Sequence, residues 1–125
     1  NTRLRNCEEF LCKLLIPYIK PLDSLIKSPK QLTIVQWAEV EENINKLYNN
    51  FTLRLKEQFP SFTNNDLQVC CLIKLRITVS DIAKILNISP ASVSKRKQRI
   101  KEQIIKELGD NFDKSQLIDI WIWEY

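Results

Sequence analysis

A short basic segment near residue 95 contains the residues of this sequence that are best suited to a chemical role. Between Pro90 and Lys106 the chain has six lysine and arginine residues and one acid, Glu102. The segment therefore carries +5, whereas the whole chain carries +4, so the remaining residues sum to −1. A helix that concentrates the positive charge of an otherwise nearly neutral chain is typical of proteins that bind a polyphosphate such as DNA.

The basic segment belongs to a pattern of two short helices joined by a tight turn. Thr78 is a good N-cap for the first helix, and Asn87 in the turn tolerates a left-handed backbone. Ser89 caps the second helix, and Pro90 fits its first turn, where a backbone N–H has no helical partner. The pattern predicts a helix-turn-helix unit whose second helix, at about 90–108, enters the major groove of DNA.

The outer side of this second helix offers side chains that can contact DNA. Serine and glutamine hydrogen-bond base edges, whereas lysine and arginine bind phosphates or guanine. The helical spacing predicts that five such residues face outward: Ser92, Ser94, Lys95, Gln98 and Arg99.

A longer set of residues around this unit forms a recognisable pattern. It consists of Phe62-Thr63, Asp66, Cys71-Leu72-Ile73, Thr78, Asp81-Ile82-Ala83, Leu86-Asn87-Ile88-Ser89, Ser92-Val93 and Ile100. This pattern resembles the LuxR/FixJ-type (GerE-like) DNA-binding domain of bacterial transcription regulators. The resemblance covers about a third of the chain, and more loosely the region from Phe62 to Trp123.

The resemblance implies a fold of four helices without a wing, which are a support helix, a scaffold helix, a recognition helix and a fourth helix often used in dimerisation. It also implies binding to double-stranded DNA, as a homodimer, by the output domain of a regulator. The DNA-contacting positions of the family fall on Ser92, Ser94, Lys95, Lys97, Gln98 and Lys101. Sigma-factor region 4 domains share part of the pattern, so an adaptor that contacts promoter and RNA polymerase remains an alternative.

The chain departs from the family pattern at three points. Arg76 replaces the glycine that precedes the scaffold helix, so we expect that turn to form without a freely left-handed residue. Arg96 replaces a common histidine of the recognition helix. The recognition helix is also about one turn longer and ends before Gly109, a natural C-cap.

Upstream of this pattern, apolar residues spaced by three and four positions predict two amphipathic helices. The first covers roughly 2–19 and is kinked or ended by Pro17 and Pro21. The second has Thr33 as its N-cap and runs unbroken to Phe59. Its stripe needs a partner, which is either the first helix or the same helix of a second subunit. The predicted dimer surface consists of Trp37, Ile44, Phe51, Leu117 and Trp121.

The predicted fold is therefore all-α, with long amphipathic helices in a segment 1–60 and a helix-turn-helix domain in 61–125. Thr63 caps a central, buried helix that exposes Lys74, and Asp66 stands at the capping-box position. A last apolar helix runs from Ser115 to Trp123. The single glycine of the chain argues against tight hairpins.

The composition also argues against several classes of function. The chain has no histidine, and its four cysteines do not have the spacing of a zinc site, so we expect no metal, no cofactor and no enzymatic activity. The thiols are expected to be reduced in a cytoplasmic protein. No apolar run approaches the ~18 residues of a membrane span.

The chain does not begin with methionine, and we expect a sensor domain upstream of it. A helical protein–protein assembly module with a degenerate helix-turn-helix is the second hypothesis.

Overall fold

A computed structural model describes residues 10–125, and every regular element in that range is helical. The predicted all-α class is therefore confirmed. Residues 10–15 are helical, and short 3-10 turns lie at Ile16–Tyr18 and Gly109–Asn111. The start of the first predicted helix and Cys7 lie outside the described residues. The main helices are α1 (Lys20–Lys27), α2 (Ile34–Leu47), α3 (Phe51–Gln58), α4 (Asn64–Lys74), α5 (Val79–Leu86), α6 (Pro90–Leu108) and α7 (Ile118–Glu124).

Four helices begin at the caps predicted from the sequence. In each, the hydroxyl of the cap accepts a hydrogen bond from the backbone N–H three residues later, at 3.1–3.3 Å. Each bond satisfies one of the N–H groups that a helix start leaves without a partner. The caps are Thr33, Thr63, Thr78 and Ser89.

Helices α4 and α5 both end at a residue with a left-handed backbone, Arg76 (φ 59°) and Asn87 (φ 55°). In each case the backbone N–H of the next residue donates a hydrogen bond to the carbonyl oxygen five residues earlier. The pairs are Ile77 to Leu72 and Ile88 to Ala83, which is the pattern of a Schellman C-cap. The turn does form without a glycine, as expected, because Arg76 adopts the left-handed conformation itself.

The prediction of an unbroken helix from Thr33 to Phe59 is wrong, because the helix is interrupted between α2 and α3. At the break, Asn49 and Asn50 have left-handed backbones, with φ of 53° and 58°. Asparagine tolerates this conformation better than most residues do. As a result α2 packs against α3 instead of continuing into it.

Polar side chains satisfy the backbone groups that this break leaves free. The Asn45 side-chain oxygen accepts the N–H of Thr52 at 2.9 Å, so a residue of α2 caps α3. The Arg54 guanidinium donates to the carbonyl oxygens of Tyr48 and Asn49 at 2.9 and 2.7 Å. Its positive charge also offsets the negative end of the α2 dipole.

One hydrophobic core joins residues from both segments predicted from the sequence. Helix α4 is central, as predicted, and packs against α3, α6 and α7. Ile44 and Phe51 are completely buried in this core, so the prediction that they form a dimer surface is wrong. Trp37 and Trp121 are partly buried against the same core, whereas Leu117 is exposed.

Helix α7 is fastened to the rest of the molecule by two cations. Lys74 is buried, contrary to the prediction, and its amine donates to the carbonyl oxygens of Ile122 and Trp123 at 3.3 and 2.9 Å. Arg54 donates to the carbonyl oxygen of Tyr125 at 2.8 Å. Because both cations lie at the C-terminal end of α7, they bind carbonyl groups that the helix leaves free.

The thiols of Cys70 and Cys71 are buried in the core and form no disulfide. Burial raises the pKa of Cys70 and of Cys71, so both behave as small hydrophobic residues of the core. Within the described part of the chain, no helix is both long and apolar enough to cross a membrane.

We predict that Asn87→Ala lowers the free energy of unfolding by about 1 kcal/mol, because alanine adopts a left-handed backbone poorly. Asn87→Gly should leave it within about 0.5 kcal/mol, since glycine has no such penalty. Urea unfolding followed by circular dichroism measures both. Asn111→Ala, at an exposed position without a left-handed backbone, is the control. Equal losses for alanine and glycine at position 87 would contradict this account.

Candidate nucleic-acid interface

The orientation of α6 is set by a stripe of completely buried aliphatic side chains, Val93, Ile100 and Ile104. Through this side α6 packs against α4, α5 and α7. The opposite side is exposed along the first three turns. We call it the outer face of α6, and it consists of Ala91, Ser94, Lys95, Gln98, Arg99 and Glu102.

The start of α6 is held by the short connection from α5. Ser89 caps the helix by accepting the N–H of Ser92 at 3.1 Å, and Pro90 occupies the first turn, as predicted. The two serine hydroxyls are also 2.9 Å apart. Ser92, which was predicted to contact DNA, is half-buried, and its backbone N–H is the donor in this cap.

Three of the predicted contact residues, Ser94, Lys95 and Gln98, are exposed on the outer face. Lys95 forms no ion pair with any described residue. The Gln98 amide lies 3.4 Å from the Glu102 carboxylate, a long hydrogen bond that leaves the amide accessible. The outer face thus combines a cation with neutral groups that can both donate and accept hydrogen bonds.

Lys97, which was predicted to contact DNA, points towards α7 instead of outward. Its side chain is only 15% exposed, and its amine lies 2.9 Å from the Asp119 carboxylate of α7. The assignment of Lys97 to the exposed contacts is therefore corrected. The side chain holds α7 against α6, because helical geometry places it next to the buried stripe.

Arg99 combines exposure with a fixed position. Its side chain is 53% exposed, and its Nη2 atom lies 2.5 Å from the carboxylate of Asp66, which is 1% exposed. The other oxygen of Asp66 accepts the N–H of Thr63 at 2.9 Å. The acid at the start of α4 is thus shared between a helix cap and an arginine of the outer face.

The remaining cations of α6 lie closer to its sides. Lys101 and Arg96 are half-buried, and Lys106 is exposed. Hydrogen bonds from Ser115 lower the pKa of Asp113, and the charge of Lys101 lowers it further. Several of the positive charges counted in the sequence therefore lie near an acid of another element.

A separate exposed surface lies in the first described residues. Five large apolar side chains there are more than half exposed, whereas the stripe predicted to need a partner lies mostly in the core. An apolar cluster of this kind is typical of a surface that contacts another protein. The residues are Phe10, Leu11, Leu14, Leu15 and Tyr18.

Two residues of the site were not predicted from the sequence in their observed roles. Asp66 was predicted as part of a capping box but not as the partner of Arg99, and Asp119 was not singled out. Acids 33 and 22 residues from their partners leave no periodic signal in the sequence. Only the packing of α4 and α7 on α6 brings these pairs together.

Comparisons of the chain with protein-family models, with curated proteins and with solved structures find no match. Residues 10–125 contain no group of three or more cysteine, aspartate or glutamate side chains that could hold a metal ion.

We predict that Lys97→Met lowers the free energy of unfolding by about 1 kcal/mol, because it leaves the partly covered Asp119 carboxylate without its cation. The methionine keeps most of the aliphatic volume, so the loss reports on the ion pair. Lys95→Met, two residues away on the same helix, should change stability by less than about 0.5 kcal/mol. Thermal and urea unfolding measure both variants, and equal effects would contradict the structural role of Lys97.

Proposed function

We propose that this chain binds duplex DNA in a sequence-dependent manner, with α6 in the major groove. In this proposal α5 and α6 act as a helix-turn-helix unit of the LuxR/FixJ type. The observation that supports it most is the outer face of α6. It exposes Ser94, Lys95 and Gln98 while the opposite side of the same helix is fixed in the core.

The physical argument concerns shape and hydrogen bonding. The major groove, about 12 Å wide, admits one α-helix. A helix that is rigidly supported from behind places its side chains on base edges without losing much conformational freedom. Gln98 and Ser94 offer hydrogen bonds to bases, and Lys95 offers a charge to phosphate or guanine.

We further propose that the chain works as the output domain of a transcription regulator and binds as a homodimer. This part rests on the sequence resemblance, which implies a fourth helix that is often used in dimerisation. Two copies would read two half-sites related by symmetry, so the selected DNA should be palindromic.

The experiment that tests the function is the selection of duplexes bound by this chain from a random pool. Enriched, symmetric sites are the expected result. A salt titration of the selected duplex follows. With about four phosphate contacts, the log–log slope of affinity against salt should be about −3 to −4. The absence of enrichment, together with a slope near zero, would exclude the proposal.

We predict that Lys95→Ala and Gln98→Ala each reduce the preference for the selected duplex over a scrambled one, by about 10-fold or more. Lys101→Ala should weaken both duplexes by a similar factor, because a phosphate contact carries no sequence information. Fluorescence anisotropy measures these affinities. Lys46→Ala, an exposed lysine of α2, is the control of equal charge. Unchanged binding by both Lys95→Ala and Gln98→Ala would remove the outer face of α6 from the interface.

A second candidate function is a protein–protein assembly module, which the apolar cluster at residues 10–18 favours. Burial of such side chains stabilises a complex with little dependence on salt.

We predict that Leu14→Glu shifts the chain from a self-associated form to the monomer in sedimentation equilibrium, whereas Ser24→Glu, an exposed polar position of α1, does not. A chain that is monomeric at all concentrations would argue against self-assembly through this cluster.

A further inference from the structure

The two partners of the ion pair between Arg99 and Asp66 differ strongly in solvent exposure. The Arg99 side chain is half exposed on the outer face of α6, and the Asp66 side chain is buried at the start of α4. Both carboxylate oxygens are used, one by Arg99 and the other by the backbone N–H of Thr63. Because burial and the hydrogen bond from Thr63 hold Asp66 in place, it can fix Arg99 in turn.

Only one nitrogen of the Arg99 guanidinium donates to Asp66. Within the described residues, its Nε and Nη1 groups form no hydrogen bond. A guanidinium has five N–H donors in a rigid plane, so several donors remain for an external acceptor. The plane is held in place before any ligand arrives, which avoids part of the entropy loss on binding.

We infer that Arg99 is a specificity-determining contact to DNA and that Asp66 is its positioning residue. This inference rests on the proposed function. The ligand chemistry is a pair of adjacent acceptors that a guanidinium can bind with two parallel hydrogen bonds. DNA offers such a pair on the O6/N7 edge of guanine and on the phosphodiester group.

The direction in which a loss of the Asp66 carboxylate changes DNA affinity distinguishes a positioning role from a simple effect of charge. Removal of an acid close to DNA should, by charge alone, strengthen the binding of every duplex. If Asp66 positions Arg99, its loss should weaken the binding of the selected duplex. The two explanations therefore predict opposite directions.

The experiment compares Asp66→Asn with the unmodified chain on the selected duplex and on a scrambled duplex of the same composition. Asparagine retains an oxygen for the N–H of Thr63. We expect the affinity for the selected duplex to fall at least 5-fold, while that for the scrambled duplex stays within twofold or rises. Circular dichroism under the binding conditions verifies that the variant is folded.

Asp81→Asn is the matched control, because Asp81 occupies the same position after the Thr78 cap of α5 but pairs with Lys84 instead of with α6. It should leave the selectivity unchanged. Arg99→Lys keeps the charge and removes the planar fork, so it should lower selectivity at least 5-fold even if Asp66→Asn does not fold. In an Arg99→Ala background, Asp66→Asn should cause no further loss.

The outcomes separate this inference from the proposed function. A chain that selects no duplex refutes both. A chain that selects a duplex, with unchanged selectivity in Asp66→Asn and in Arg99→Lys, refutes only the role of this pair.

Interference footprinting of the unmodified chain and of Arg99→Lys then identifies the acceptor. If methylation of a guanine N7 hinders binding of the unmodified chain but not of the variant, Arg99 binds the base edge. If ethylation of a phosphate has this effect instead, Arg99 binds the DNA backbone, and its role in specificity is refuted, because a phosphate contact carries no sequence information.

Discussion

The burial of three aliphatic side chains fixes the rotation of α6 about its own axis, and the rest of the candidate interface depends on this constraint. Val93, Ile100 and Ile104 are completely enclosed. Rotation of the helix by one residue, about 100°, would bring Arg99 or Lys101 into the place of Ile100 and a serine into the place of Val93. A buried cation without a partner costs far more free energy than an aliphatic side chain gains by burial. The core therefore decides that Lys95 and Gln98 face outward.

Acids from other elements divide the cations of α6 into separate groups. Asp119 pairs with Lys97 at the side of the helix, so that charge stabilises the docking of α7. Asp66 pairs with Arg99, whose side chain remains half exposed. Lys95 remains without an ion pair among the described residues. The charge of α6 in the sequence is thus an upper limit for the charge that it offers to a ligand, because a paired cation attracts phosphate less strongly.

Helix α7 connects the N-terminal helices with α6. Its C-terminal carbonyl groups bind Arg54 of α3 and Lys74 of α4, and its Asp119 binds Lys97 of α6. The break after α2 makes this arrangement possible. It turns what would be one long helix into two packed helices, and it places Arg54 between the ends of α2 and α7. The two segments expected from the sequence consequently share one core.

The sequence by itself determined the features that depend on neighbours within a few residues. The caps Thr63, Thr78 and Ser89, the bounds of α6 and the left-handed Asn87 all follow from local backbone chemistry. The Asn49-Asn50 pair was a local signal of the helix break, but the apolar period that continues across it outweighed this signal. Only the tertiary structure decided which cations are free, because the partners of Lys97 and Arg99 lie 22 and 33 residues away. Such pairs form when helices pack, and packing distances are not encoded in any local pattern.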